Sequence, residues 1–371
     1  MANGLDSFEV KLGYKMFNRA TVFESVNNCV REMGQSRYLH LDKRENKAGC
    51  KLYRTTAFYT FGICELTIKD YNHKGNAGSE LIARCRPAII LYPEDVYALC
   101  GETDYKPFQE SFNQMVSMIN RYMGNEPLPY LDGWIVNRID YAFQYRTKLH
   151  EETMMMLRKS ARSVITRSIT KARNNGKECR RYDSSVYIVK KKCTVNFYDK
   201  TDEKGLQDDF HILRFEVQCR DDYLYKMRNE GRIKDLSLRG LWNHVLALSV
   251  VTTQIDKVAG TGDFYSLTKA EKMIENTTKL TEPETLLLGK MLQYSVQPHV
   301  CRETWWEYFE ICSGIIKLDS KNPKQRVQRM LRRLRINELS IPLRWNLDEL
   351  PNPGRVIREM NGVCAKQPFS N

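Results

Sequence analysis

Apolar and polar residues alternate with a period of two along three short stretches in the middle of the chain. In Val136 to Gln144, Arg138, Asp140, Ala142 and Gln144 fall on one side, and Ile139, Tyr141 and Phe143 on the other. In Thr194 to Lys200, Thr194, Asn196, Tyr198 and Lys200 oppose Val195 and Phe197. In Ile212 to Gln218, Arg214, Glu216 and Gln218 oppose Leu213, Phe215 and Val217. Strands with one greasy face and one polar face belong to a sheet that helices cover on one side, which is the antiparallel α+β pattern. Further strands are predicted over 52–67, 81–92 and Val186 to Val189, the first two separated by the turn-rich run from Asn72 to Gly78.

The period then changes. A helix is predicted from Phe108 to Met123, and another from Glu151 to Arg173, where Met154, Leu157, Ala161, Ile165, Ile169 and Ala172 recur at helical spacing. From Asp221 onward the patterns are mainly helical, over Leu236 to Val258, Thr268 to Asn276, Glu282 to Tyr294, Arg302 to Ile311 and Lys324 to Ile336. The expected organisation is an α+β domain over 1–222, a helical connector over 223–280 and a helical domain over 281–371.

Composition narrows the partners. The chain has 371 residues, enough for a sizeable core, and its 58 Lys and Arg against 45 Asp and Glu leave a net charge of +13. An anionic partner is favoured, with nucleic acid the leading candidate. A membrane partner is not expected: no apolar run of about 18 residues occurs, and the start from Met1 to Asp6 lacks a signal peptide's basic and apolar stretches. A cytoplasmic location is expected. The 11 cysteines contain no Cys-x-x-Cys pair, so they read as reduced, mostly buried thiols rather than disulfides or a zinc site. The six histidines include no His-x-His and no His-x-x-x-His.

The candidate chemistry lies on the polar strand faces. If the three alternating strands are neighbours, Asp140, Glu216 and Tyr198 converge. A phenol with an ordinary pKa near 10 is roughly 3 units from ionising at neutral pH, or about 4 kcal/mol, so a nucleophilic Tyr198 needs help. Lys200 on the same face can favour the phenolate or neutralise a phosphate. Mg²⁺ or Mn²⁺ held by Asp140 and Glu216 would polarise the phosphate oxygens, and two hard carboxylates suit those cations better than zinc. Arg214 can orient Glu216 or touch phosphate, and Glu65 is a further candidate ligand. The plainer reading makes Tyr198 a packing residue and Asp140 and Glu216 partners of Arg138 and Arg214 in ion pairs.

The order Arg138-Ile139-Asp140, a basic helix, Tyr198-Asp199-Lys200 and Arg214-Phe215-Glu216 resembles the replication initiator endonucleases of the gene II/X family of filamentous phages and related plasmids. The stretch from Leu81 to Leu91, with Pro87-Ala88 inside it, is similar to an upstream strand of that family, and Trp305 to Phe309 to part of its C-terminal region. The resemblance runs through most of the chain in order, on motifs of three to five residues. It implies rolling-circle replication: one strand of a double-stranded origin is nicked through a 5′-phosphotyrosine, leaving a free 3′-OH, and the displaced strand is later rejoined. It further implies origin DNA, double-stranded and single-stranded, as partner, a host helicase and DNA polymerase as associates, and a bacterial cytoplasm as setting. The family's tyrosine carries over to Tyr198 and its acids to Asp140 and Glu216. The chain departs from the broader rolling-circle nickases in lacking their His-x-His metal pair.

Two basic runs accompany these motifs. Between Arg158 and Lys192 stand 12 Lys and Arg against Glu178 and Asp183. Arg158, Arg162, Lys171, Arg173, Lys177, Arg180, Arg181, Lys190, Lys191 and Lys192 are the candidate phosphate contacts there, giving affinity without sequence information. The second run, Lys317 to Arg335, places Lys324, Arg326, Arg329, Arg332 and Arg333 around a stripe of Val327, Met330, Leu331 and Leu334. It reads as an amphipathic helix, either in a helix-turn-helix or winged-helix module reading the major groove or in a plain helical bundle. Two other classes compete with the nickase. A non-catalytic DNA-binding regulator or partition-type protein would use the sheet as scaffold, and a strand-transferring recombinase would surround its tyrosine with Arg and His late in the chain.

Overall fold

The alternating stretches are neighbours in one antiparallel sheet. In a computed structural model, residues 4–42, 50–73, 76–161, 185–190, 192–278, 280–297 and 299–362 are described. Among these, β1 (Gly4–Leu12), β2 (His40–Leu41), β3 (Cys50–Thr55), β4 (Ile63–His73), β5 (Asn76–Cys85), β6 (Ile135–Thr147), β7 (Ser185–Val189), β8 (Cys193–Asp199) and β9 (His211–Arg220) hydrogen-bond in the order β2-β3-β4-β5-β1-β6-β9-β8-β7. The C-terminal region is mainly helical, with one small sheet of β10 (Phe264–Tyr265) and β11 (Glu349–Leu350). The fold is therefore α+β.

The chain divides into two compact units, each drawn from separate stretches. The first comprises Met1–Phe143, Lys191–Cys193 and Glu216–Ser249. In it β1 lies between β5 and β6, with Phe8 opposite both Cys85 and Ile139. Its greasy face is buried by aromatic packing: Phe8 meets Phe108 of the helix Tyr105–Asn120 edge-on at 5.4 Å, and Trp242 at 6.0 Å. Rings so arranged add about 0.5–1.5 kcal/mol per pair beyond the area they bury. Trp242 also ends the helix Leu238–Leu241 by leaving helical geometry, and its indole donates to the Gly101 carbonyl at 2.6 Å. The single helix expected over Leu236 to Val258 is therefore two, Leu238–Leu241 and His244–Ala259.

Two other elements differ from the sequence pattern. The stretch 52–67 is split between β3 and β4, because the chain turns through Tyr59–Phe61 into Gly62 at φ +77°. That left-handed backbone suits glycine, and a Cβ there would stand 3.0 Å from the Phe108 ring. The stretch 81–92 stops being strand at Cys85. Pro87 adopts φ −59° and ψ −34° and begins the short helix Ala88–Leu91, since a residue without an N–H cannot continue the ladder.

The second unit comprises Gln144–Lys190, Thr194–Phe215 and Val250–Asn371. Its strands lie beside the helix His150–Ser160, and its C-terminal part carries the helices Leu267–Glu275, Glu282–Ser295, Arg302–Ile315, Pro323–Leu334 and Pro353–Met360. The helix Pro323–Leu334 buries Val327, Met330 and Leu331 while Lys324, Arg326, Arg329, Arg332 and Arg333 face solvent. No helix among the described residues is long and apolar enough to cross a membrane.

Candidate functional site

Ring contacts in the second unit fix the sides of its strands. Phe197 lies 5.1 Å from Phe215, which stacks on Tyr145 at 5.6 Å, so these three share the greasy side. Alternation then puts Asn196, Tyr198, Arg214 and Gln144 on the other side. The β7–β8 register pairs Ser185 with Tyr198 and Tyr187 with Asn196, which adds Tyr187 to that face.

Tyr198 is half-buried, with Lys200 Nζ 5.5 Å from its ring centroid. Lys200 does not continue the strand. Asp199 caps a short helix, Lys200–Glu203, by accepting from the Thr201 and Asp202 N–H groups at 2.9 and 3.1 Å. That turn buries Lys200 and pairs it with Glu203. Burial lowers the Lys200 pKa; Glu203 opposes the shift and Arg214 adds to it. Arg214 is 0% exposed and donates from Nε and Nη2 to Gln144 Oε1 at 2.9 and 2.7 Å. It braces this face from inside.

The other side of the same strands ends in a cluster that sequence reasoning missed. Asp199, extended at φ −78° and ψ 111°, lies on the Phe197 side, and His211 on the Phe215 side. His211 Nδ1 is 2.6 Å from Asp199 Oδ2 and 3.4 Å from Asp202 Oδ1. His150, the first residue of the helix His150–Ser160, stacks on His211 with the rings parallel and 3.6 Å apart. One ligating atom from each of His150, Asp199 and His211 lies within 4.8 Å of the others. The His150 Nδ1 atom is buried with no hydrogen-bond partner among the described residues. Burial raises the Asp202 pKa, and the Asp199 charge raises it further. These groups come from positions 150, 199 and 211, so no local spacing announces them.

The donors suit a divalent cation, with one condition. Imidazole lone pairs lie in the ring plane, and with the two rings parallel and stacked, centroids 3.6 Å apart, a cation about 2.0–2.1 Å from a nitrogen of each cannot lie in both planes. The His150 ring must turn to share a cation with His211. Asp199, already accepting two backbone N–H groups and facing His211 Nδ1, is placed to orient that ring so that Nε2 ligates.

Asp140 and Glu216 belong to the first unit. Asp140 is 1% exposed and accepts from Ser7 Oγ at 2.6 Å and from Arg138 Nε at 3.0 Å. Ser7 and Glu9 on β1 stand opposite Asp140 and Arg138 in the ladder, and Arg138 Nη1 reaches Glu9 Oε1 at 2.8 Å. Burial works against the Arg138 charge, but the hydrogen bond to Asp140 and the charges of Asp140, Glu9 and Glu216 outweigh it and raise its pKa. Glu216 is half-buried. Glu65, on β4, pairs with Arg54 at 3.5 Å.

Of the candidate DNA contacts, Arg158 and Lys190 are half-buried and Lys192 is exposed. Lys190 Nζ donates to Gln254 Oε1 at 2.8 Å, and Arg326 Nε to Glu284 Oε1 at 2.6 Å. Arg162, Lys171, Arg173, Lys177, Arg180, Arg181 and Lys191 lie outside the described residues.

No family model and no curated protein matches the sequence. Among solved structures, a rolling circle replication initiator protein from Geobacillus stearothermophilus is similar over 84% of this chain and 96% of that chain, at 13% identity and a TM-score of 0.28.

Proposed function

We propose that the protein initiates rolling-circle DNA replication, as members of the gene II/X family do, by nicking one strand through Tyr198 and later rejoining it. The observation that carries this reading is a half-buried phenol whose ring lies 5.5 Å from a buried ammonium, on a strand that follows a strongly basic stretch. In the reaction the Tyr198 oxygen bonds to phosphorus as the bond from phosphorus to the 3′ oxygen breaks. The phenol's proton ends on the 3′-OH, which then primes a polymerase while a helicase opens the duplex. The reverse attack by a 3′-OH reseals a strand and frees the tyrosine. Lys200 favours the phenolate by its charge, and Arg214 holds the polar face in place.

Mg²⁺ or Mn²⁺ bound through Glu216 and Asp140 would polarise the scissile phosphate. For Asp140 this means exchanging Arg138 for the cation, so Glu216 is the more accessible ligand. The test is mass spectrometry and gel analysis after reaction with DNA from the element that encodes the protein, with Mn²⁺ present. A covalent adduct at Tyr198 is expected, and Tyr198→Phe should abolish nicking while binding DNA normally. Nicking by that variant would overturn the assignment.

The closed Asp140 network favours a second reading, a DNA-binding regulator without catalysis. It predicts no adduct and full function of Tyr198→Phe.

A further inference from the structure

Between β7 and the helices Arg302–Ile315 and Pro323–Leu334 the second unit has a cleft of about 540 Å³. Its apolar wall includes Ile188, Val189 and Val258, and its cations are Lys190, Lys257, Arg302 and Lys324 against one acid, Glu303. Trp306 also lines it, half-buried, with Lys324 Nζ 5.0 Å from the indole. Lys257 and Arg302 border a second hollow of about 480 Å³, lined also by Arg332, Asp256 and Glu338. Glu338 pairs with Arg302 at 3.0 Å, which leaves the lysines as the main excess charge.

We propose that this cleft binds single-stranded DNA, with a base stacked on Trp306 and the neighbouring phosphates on Lys257 and Lys324. The proposal rests on the reading of the protein as a DNA-processing initiator and adds where a strand is held once it is no longer paired. Three features select that occupant. The cations match a polyanion, and the cleft volume lies in the range of about 300–1,000 Å³ that accepts small ligands. A duplex keeps its base faces inside the stack, whereas a single strand offers each one to an aromatic ring. The adjoining hollow shares Lys257 and Arg302 and adds Arg332 against Asp256 and Glu338, so a smaller positive excess continues along the backbone's path.

The test is fluorescence anisotropy of labelled oligo(dT) and of a blunt duplex, measured on the full chain across a salt series. Trp306→Ala is expected to weaken oligo(dT) binding by about tenfold or more and duplex binding little, with Trp306→Phe retaining most of the affinity. Lys257→Gln and Lys324→Gln, both at exposed positions, should each flatten the dependence of log K on log salt by about 0.7 for the single strand. These two variants keep the proposal testable if Trp306→Ala does not fold. Unchanged oligo(dT) affinity in Trp306→Ala or in the two lysine variants overturns the cleft, as does an equal loss on duplex. Should the cleft fail while Tyr198-dependent nicking persists, the initiator reading stands. Absence of any DNA binding by the wild-type protein takes down both.

Discussion

The Asp140 network and the His150–Asp199–His211 cluster are both built from buried or half-buried titratable groups, yet they are satisfied to opposite degrees. Asp140 receives Ser7 and the Arg138 fork, and Arg138 in turn reaches Glu9, so charge is balanced by side chains already present. The histidine cluster leaves a buried nitrogen of His150 without a hydrogen-bond partner among the described residues. Fixed charges that already answer one another take up a cation only by exchange, whereas a buried imidazole nitrogen with no hydrogen-bond partner among the described residues, near a second imidazole and a carboxylate, is a candidate ligand. The motif most visible in the sequence is thus the more self-sufficient of the two.

The largest effect expected from this contrast is in the first unit. Arg138→Met should destabilise the protein by about 3–5 kcal/mol in urea unfolding, because it strands a buried carboxylate, and adding Asp140→Asn should recover much of that loss. A single-variant cost under about 1 kcal/mol would mean that Asp140 is not sealed as described. Next in size is the response to metal. Co²⁺ at roughly 100 times its dissociation constant should raise stability by about 2.7 kcal/mol, reversed by a chelator. His150→Leu should abolish that rise with little change in apo stability, and Asp199→Asn should weaken Co²⁺ binding by about 10–100-fold. An undiminished Co²⁺ response in His150→Leu would place the metal elsewhere.

A smaller effect sharpens the comparison with a third, half-buried charge. Lys159 donates to the Ser295 carbonyl at 2.6 Å, and burial lowers its pKa to about 8 from 10.5. Between those values the unfolded chain binds more protons than the folded one, so this residue's contribution to stability rises with pH. The difference in unfolding free energy between wild type and Lys159→Met should shift in favour of wild type from pH 8 to pH 10.5, and a flat difference would contradict the burial. Subtracting the variant removes buried groups with the opposite tendency, such as Cys29, which burial raises to about 11.

Much of the fold was legible because alternation and helical spacing are local. β6, β8 and β9 fall where period two predicts, and Pro323–Leu334 buries the Val327, Met330 and Leu331 stripe. β1 went unread although it lies centrally between β5 and β6, and so did the helix Arg19–Glu32, whose polar Asn and Ser residues dilute its apolar stripe. Turns set by single residues, Gly62, Pro87 and Trp242, moved boundaries that periodicity alone cannot see.

Sequence by itself determined the α+β class, the excess of positive charge and the side of each strand on which Tyr198, Arg214 and Glu216 stand, since those follow from composition and the two-residue repeat of a strand. Tertiary structure decided which charges meet. Ser7 and Arg138 reach Asp140, and His150 reaches His211 and Asp199 from dozens of residues away, on the side of the sheet opposite Tyr198. Hydrogen-bond partners and ligand sets depend on distances of a few ångströms, which only the packing of strands remote in sequence establishes.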